Sequence, residues 1–307
     1  MIYHKLRDSN SKLSRLALGC WKYDDDWGYI FERKMIKILQ KAIERGITLF
    51  DTAPIYGLGR SEEILGKALK KKRKNVLIST KVGLVWKKEK RIIKVRDCSP
   101  ANIKKEIDAS LKRLKTDYID FYLIHWLDPN TPIEDILLTM ENLKKSGKIL
   151  YIGFCNCSLN LLKKILKYKK IDAIQVPYSL IDRKIENGLL PFCKEKNILI
   201  LAYSPLGRGI LAGKYNKKFI IDYHRKKDKN FQGKRLIRNF EILEAVKHIA
   251  KQLKKTSAQV ALRWVLENFC VTTAIFGASE VSQLEEDTLA TDFTLSKKNV
   301  DFLNKAS

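Results

Sequence analysis

The sequence predicts an α/β protein of the (β/α)8 TIM-barrel class, preceded by an N-terminal β-hairpin. Three observations carry this. Apolar segments of strand length alternate along the chain with segments of helical periodicity. The strand segments show little polar alternation, as strands buried on both faces must. About eight strand–helix units can be counted, the number that closes a barrel. A doubly wound open sheet is the competing arrangement. It is disfavoured because no G-x-G-x-x-G follows the first strand. Residues 1–307 read as a single domain.

The elements follow in order. Segments 3–6 and 12–16 flank Asp8-Ser9-Asn10-Ser11, a turn-forming run, and so form the hairpin. Segment 16–19 is the first buried strand. Between Arg33 and Arg45, the residues Met35, Ile36, Leu39, Ala42 and Ile43 recur at helical spacing, and Gly46 ends that helix. Strand 48–51 leads to a helix from Ser61, with Ser61 expected as its cap and Glu62 and Glu63 in its first turn. Strand 76–81 leads through a long loop to a helix opened by Ser99-Pro100. Strand 118–125 precedes a helix from about Thr131-Pro132 to Ser146-Gly147, and strand 149–154 a helix after Ser158. Strand 173–176 precedes a helix over 186–196. Strand 198–203 leads to a polar insertion and then to helices 240–253 and 256–267. Strand 273–276 precedes a last helix over 281–289. Two long loops, from Gly83 to Ser99 and from Gly207 to about Arg238, both follow strands and are expected on the catalytic face.

Composition excludes several classes. Of the 307 residues, 45% are hydrophobic, ample for one large core. No apolar run approaches the ~18 residues of a membrane span, and the N-terminus lacks the apolar centre of a signal peptide. Of the six cysteines only Cys155 and Cys157 are close, a poor zinc signature. Reduced thiols, no metal and a cytoplasmic location are therefore expected. The net charge is +26, from 60 basic and 34 acidic side chains. The basic residues lie in scattered short runs such as Lys70-Lys71-Lys72-Arg73-Lys74, with no nucleic-acid-binding motif beside them. A lysine-rich surface is expected rather than a specific nucleic-acid site, and its field would draw in an anionic cofactor.

Asp51, Lys81 and His125 end the second, third and fourth strands, and Tyr56 lies just beyond the second. In a barrel such positions share one rim, so the four side chains can converge. A tyrosine hydroxyl, with a reference pKa near ~10, is a weak acid at neutral pH. The charge of Lys81 is expected to lower that value, and Asp51 to keep the lysine charged and placed. His125 can orient a substrate carbonyl. Such a centre can protonate a carbonyl oxygen while hydride reaches the carbon. It holds no nucleophile–base pair and no metal-ligand spacing, so the hydride must come from a cofactor.

Several motifs carry a resemblance. They are Gly19-Cys20-Trp21, Phe50-Asp51-Thr52-Ala53-Pro54-Ile55-Tyr56-Gly57, Ser79-Thr80-Lys81 and Ile124-His125-Trp126. Gly153-Phe154-Cys155-Asn156, Gln175-Val176-Pro177-Tyr178-Ser179 and Tyr203-Ser204-Pro205-Leu206-Gly207-Arg208-Gly209 continue the series. In this order, over nearly the whole chain, they resemble the aldo-keto reductase superfamily, closest to its bacterial and channel-subunit-like branches. The resemblance implies reduction of aldehydes and ketones by NADPH bound extended, without a Rossmann fold. A small-molecule carbonyl substrate and a monomer or weak homo-oligomer are expected. The resemblance also implies Tyr56 as general acid, Lys81 and Asp51 as its tuning pair, and His125 as the carbonyl's guide.

For the cofactor, the resemblance implies Asn156 and Gln175 on the nicotinamide carboxamide, Tyr203 stacked on the ring, and Trp21 close by. Ser204, Leu206, Gly207 and Arg208 match the segment around the pyrophosphate. Gly277, Ser279, Gln283, Glu286 and Asp287 match the adenosine end. The segment departs from the family's pattern: Phe276 stands for a common proline, Asp287 for a common asparagine, and the basic residues common just after Gly277 are absent, with Glu280 nearby. A 2′-phosphate attracts cations, so NADH is admitted beside NADPH. Trp21, Trp27, Trp86 and Trp126 are expected to wall the substrate site together with the two long loops. Those loops carry Lys87, Lys88, Lys90, Arg91, Lys217, Lys218, Arg225, Lys226 and Lys227. They fit either a solvated surface or an acidic substrate. Two competing functions remain at this point: a non-catalytic, sensory reductase-like subunit that binds NADPH and reports to a partner, and a polyanion binder.

Overall fold

The computed structural model describes residues 1–6, 11–21, 32–88, 92–213, 215 and 227–307. Eight strands close into a barrel. In chain order they are β3 (Leu16–Gly19), β4 (Leu49–Asp51), β5 (Leu77–Val82), β8 (Ile119–Ile124), β9 (Ile149–Cys155), β10 (Ala173–Pro177), β11 (Leu199–Tyr203) and β12 (Thr273–Phe276). Every neighbouring pair is parallel, and β12 pairs back onto β3 to close the ring. The expected hairpin is β1 (Tyr3–Lys5) against β2 (Lys12–Ser14).

The barrel has two cores, as alternating side chains require. Inside the ring lie Ala17, Leu49, Leu77, Phe121, Leu123, Cys155, Ala173, Leu201 and Ile275. Leu6 and Leu13 join this cluster from the hairpin and plug the barrel's N-terminal end. Outside the ring, the opposite faces of the strands pack against the helices in one continuous layer. The interior is thus filled from below and leaves only its C-terminal mouth for chemistry.

The helices are α1 (Glu32–Glu44), α2 (Arg60–Leu69), α3 (Pro100–Leu114), α4 (Ile133–Lys145), α5 (Leu159–Tyr168), α6 (Leu189–Glu195), α7 (Gly233–Leu253), α8 (Ser257–Glu267), α9 (Val281–Thr288) and α10 (Lys297–Ala306). Ser99 caps α3 and Ser158 caps α5, as their sequences require.

Four local expectations change. Ser61 does not cap α2; Gly59, at φ 97°, precedes the helix. Ser61 is buried instead, sharing a 2.8 Å hydrogen bond with the Thr52 hydroxyl and donating to the Cys20 carbonyl at 3.2 Å. The loop after β5 contains a hairpin, β6 (Leu84–Lys88) against β7 (Ile92–Arg96). Helix α7 starts at Gly233 rather than near 240, because its buried stripe begins only at Asn239 and the first turns are solvent-facing. Helix α10 was not anticipated; Leu303 is its one buried residue, a stripe too thin to read by periodicity.

Candidate active site

The C-terminal ends of β4, β5, β8, β9, β10 and β11 deliver the expected side chains to one cavity of about 390 Å³. Its lining includes Trp21, Asp51, Tyr56, His125, Asn156, Gln175, Tyr203, Ser204, Leu206, Arg208, Gly277 and Gln283. Lys81 lies just beneath, fully buried.

At the floor, Lys81 Nζ donates to Asp51 Oδ1 at 3.0 Å, to Oδ2 at 2.9 Å and to the Thr52 carbonyl at 2.7 Å. It also reaches the Tyr56 hydroxyl at 3.5 Å. Asp51 Oδ1 accepts two further hydrogen bonds, from Ser79 Oγ at 2.9 Å and from Gln175 Nε2 at 2.7 Å. Tyr56 is held by the turn after β4, where Gly57 and Leu58 take left-handed φ of 57° and 52°. His125 meets Tyr56 edge to face, ring centroids 6.0 Å apart at 84°. Asn156, itself left-handed at φ 57°, donates to the His125 carbonyl at 3.1 Å and accepts from the Tyr203 hydroxyl at 2.8 Å.

Burial dominates the electrostatics. It pushes the Tyr56 hydroxyl up to about 12, against the opposing pull of the Lys81 charge. The expected lowering is therefore reversed: the lysine limits the rise but does not overcome it. Burial also works against the charge of Lys81, yet Asp51, with Tyr56 and Cys155, outweighs it and raises the ammonium above its ordinary value. Lys81 is thus a permanent cation and Tyr56 a retained acid. Burial keeps the Cys155 thiol and the Tyr203 phenol protonated as well.

Beyond Tyr203 the chain turns through Ser204, Gly207, Arg208 and Gly209, at φ 54°, 55°, 55° and 98°. Such a run of left-handed residues forms a concave backbone surface suited to anions. At Gly207 the left-handed φ favours glycine, and a Cβ there would lie 2.4 Å from Ile181 Cδ1, so that side chain would have to move. Gly207 lines an adjoining cavity of about 420 Å³ shared with Tyr203, Ser204 and Arg208. Arg208 sits 5.6 Å from the Trp21 ring centroid and pairs with Asp228 at 3.0 Å.

Three expected cofactor residues lie outside the linings. Ser279 donates its backbone N–H to Gln283 Oε1 at 3.0 Å, Glu286 is exposed on α9, and Asp287 is fully buried beneath it. Trp126 lines the cavity; Trp86 does not, and Trp27 lies outside the described residues. Of the loop cations, Lys90, Arg91, Lys217, Lys218, Arg225 and Lys226 also lie outside them, and Lys227 lines the adjoining cavity. Ser79 and Cys155 were not anticipated as site residues. The signal for Ser79 was present, since it precedes Lys81 by one strand repeat and so faces the same interior. Among the described residues no group of acidic, cysteine or histidine side chains could hold a metal ion, and no helix is long and apolar enough to cross a membrane.

Comparison with known proteins agrees with this geometry. The sequence model described as "Aldo/keto reductase family" matches residues 15–307. The chain is 37% identical to "Aldo-keto reductase YhdN" of Bacillus subtilis, over 99% of this chain and 93% of that one. It is 35% identical to the "NADH-specific methylglyoxal reductase" of Escherichia coli, over 92% and 91%. Among solved structures it superimposes on the glycerol dehydrogenase AKR11B4 of Gluconobacter oxydans with a TM-score of 0.91 at 32% identity, covering 99% and 94% of the two chains. With the closed parallel barrel and the family match over almost its full length, this chain belongs to the aldo/keto reductase family of oxidoreductases.

Proposed function

We propose that this chain, acting as a single domain over residues 1–307, reduces an aldehyde or ketone to the alcohol at the expense of a reduced nicotinamide dinucleotide, with Tyr56 as proton donor. The observation that carries this is the buried Lys81 cation, held by both oxygens of Asp51 and 3.5 Å from the Tyr56 hydroxyl at the cavity floor. A dinucleotide fits the residues present. Asn156 and Gln175 offer amides, Tyr203 an aromatic face, and the 204–209 turn an anion-binding backbone. When bound, the dinucleotide supplies hydride to the carbonyl carbon. The chain supplies the rest: Tyr56 gives its proton to the carbonyl oxygen, Lys81 stabilises the phenolate left behind, Asp51 fixes Lys81, and His125 orients the carbonyl. This arrangement favours catalysis over a sensory role.

The apolar walls Trp21, Ile55, Leu84, Trp126, Ala212 and Tyr215 favour a small carbonyl compound with an apolar portion. The methylglyoxal reductase among the relatives makes short 2-oxoaldehydes the first compounds to assay. The site is built from one chain, so a monomer or weak homo-oligomer suffices. The six free cysteines fit a reducing compartment such as the cytoplasm. The assay is tryptophan quenching by each reduced cofactor, followed by turnover on a carbonyl panel; absence of quenching by both would overturn the reading.

The choice between NADPH and NADH turns on Glu280, the residue before α9, which is ion-paired with Lys34 of α1. Cation and carboxylate there offset one another toward a 2′-phosphate, so weak discrimination is expected. Glu280→Arg should shift the ratio of dissociation constants toward NADPH by about tenfold, the scale of one charge-assisted hydrogen bond. An unchanged ratio in the quenching titration would place the 2′-position elsewhere.

A further inference from the structure

Gln175 matches a position implied to hold the nicotinamide carboxamide, yet its amide nitrogen is 2.7 Å from Asp51 Oδ1. Asp51 ends β4, while Gln175 lies on β10. Around the ring, β5, β8 and β9 separate these strands on one side and β11, β12 and β3 on the other. The hydrogen bond therefore spans the barrel mouth between diametrically opposed strands. Both side chains are buried, Asp51 at 5% and Gln175 at 4% exposure.

On its other side, Gln175 Oε1 accepts from the Cys155 thiol at 3.7 Å, an arrangement consistent with the nitrogen facing Asp51. Burial keeps this thiol protonated, so it remains a donor. Asp51 Oδ1 thus has three donors: Ser79 and Lys81 from β5, and Gln175 from across the ring. Without the third, the carboxylate keeps its bonds to Ser79 and Lys81, both from β5, and loses its support from across the ring.

We infer that Gln175 is a positioning residue for the Asp51–Lys81 pair, a cross-barrel brace that couples the nicotinamide end of the cavity to the acidity of Tyr56. This rests on the reading of Tyr56 as proton donor. A reduced dinucleotide held at Gln175 would bear on the same amide that holds Asp51, and so would link cofactor binding to the readiness of the acid through one side chain.

The test compares the wild type with Gln175→Met, Gln175→Glu, Asp51→Asn and the Gln175→Met/Asp51→Asn double variant. Gln175→Met should lower hydride transfer at saturating NADH by about tenfold and move its pH profile, with a smaller change in the cofactor dissociation constant. In the Asp51→Asn background it should cost no more than about twofold further, because the group it acts through is gone. Gln175→Glu should work at low pH, where the introduced carboxyl is protonated and donates to Asp51. It should fail as pH rises and two carboxylates face each other. The inference is overturned if Gln175→Met weakens cofactor binding alone, if its loss multiplies in the double variant, or if Gln175→Glu shows the wild-type pH profile. Thermal melts of the same proteins report the Gln175–Asp51 coupling independently of catalysis. Wild-type turnover in Tyr56→Phe would remove the catalytic reading while leaving that coupling intact.

Discussion

Tyr56→Phe is expected to lower carbonyl reduction by about a thousandfold, the scale of a lost general acid, while reduced-cofactor binding changes by less than about threefold. The Tyr56 phenol lines the cavity 3.5 Å from the buried Lys81 cation and holds its proton across the working range. Burial sets its value at about 12 in this structure. The sign of the pH dependence follows. Reduction consumes the protonated form, so the rate is flat through neutrality and falls only as pH climbs toward that value. Alcohol oxidation needs the phenolate and rises over the same interval. Initial rates in both directions from pH 6 to 11, with quenching titrations alongside, check this. Parallel pH profiles for the two directions would show that another group transfers the proton.

Lys81→Met carries the second large effect, on stability and on turnover together. Lys81 and Asp51 are almost wholly buried, with side-chain exposures of 1% and 6%. Removing the cation strands a carboxylate inside the barrel mouth, at a cost of about 3–5 kcal/mol. Turnover should fall by at least about a hundredfold, because the phenolate formed on proton transfer loses its counter-charge. The double variant Lys81→Met/Asp51→Asn separates the two consequences. With no uncompensated charge left, it should recover much of the stability in urea denaturation and none of the activity. Recovery of activity with stability would mean that Lys81 serves the fold alone.

The barrel was legible because its strands are short continuous apolar runs punctuated by caps and glycines. All eight lie within a residue or two of their expected bounds. What escaped notice was α10 with its single buried leucine and the solvent-facing start of α7, both marginal in burial, and the β6–β7 hairpin inside a lysine-rich loop. In the site, Asp51, Tyr56, Lys81 and His125 announced themselves as polar groups ending apolar strands, where pattern and chemistry conflict. Ser61 misled for the opposite reason: a serine beside Glu62 and Glu63 reads as a cap, but long-range contacts with Thr52 and Cys20 claimed it. The Gln175–Asp51 bond could not be read at all, since it joins residues 124 positions apart. Nor could the direction of the Tyr56 shift, because sequence shows the lysine but not the depth of burial that outweighs it.

The most direct measurement is a single turnover with reduced cofactor deuterated at the transferring position and methylglyoxal or another short aldehyde as acceptor. Deuterium should appear on the carbinol carbon of the alcohol, one per cofactor oxidised, at a rate that collapses in Tyr56→Phe. A product without deuterium, or one formed equally fast by Tyr56→Phe, would contradict hydride transfer to a carbonyl protonated by Tyr56.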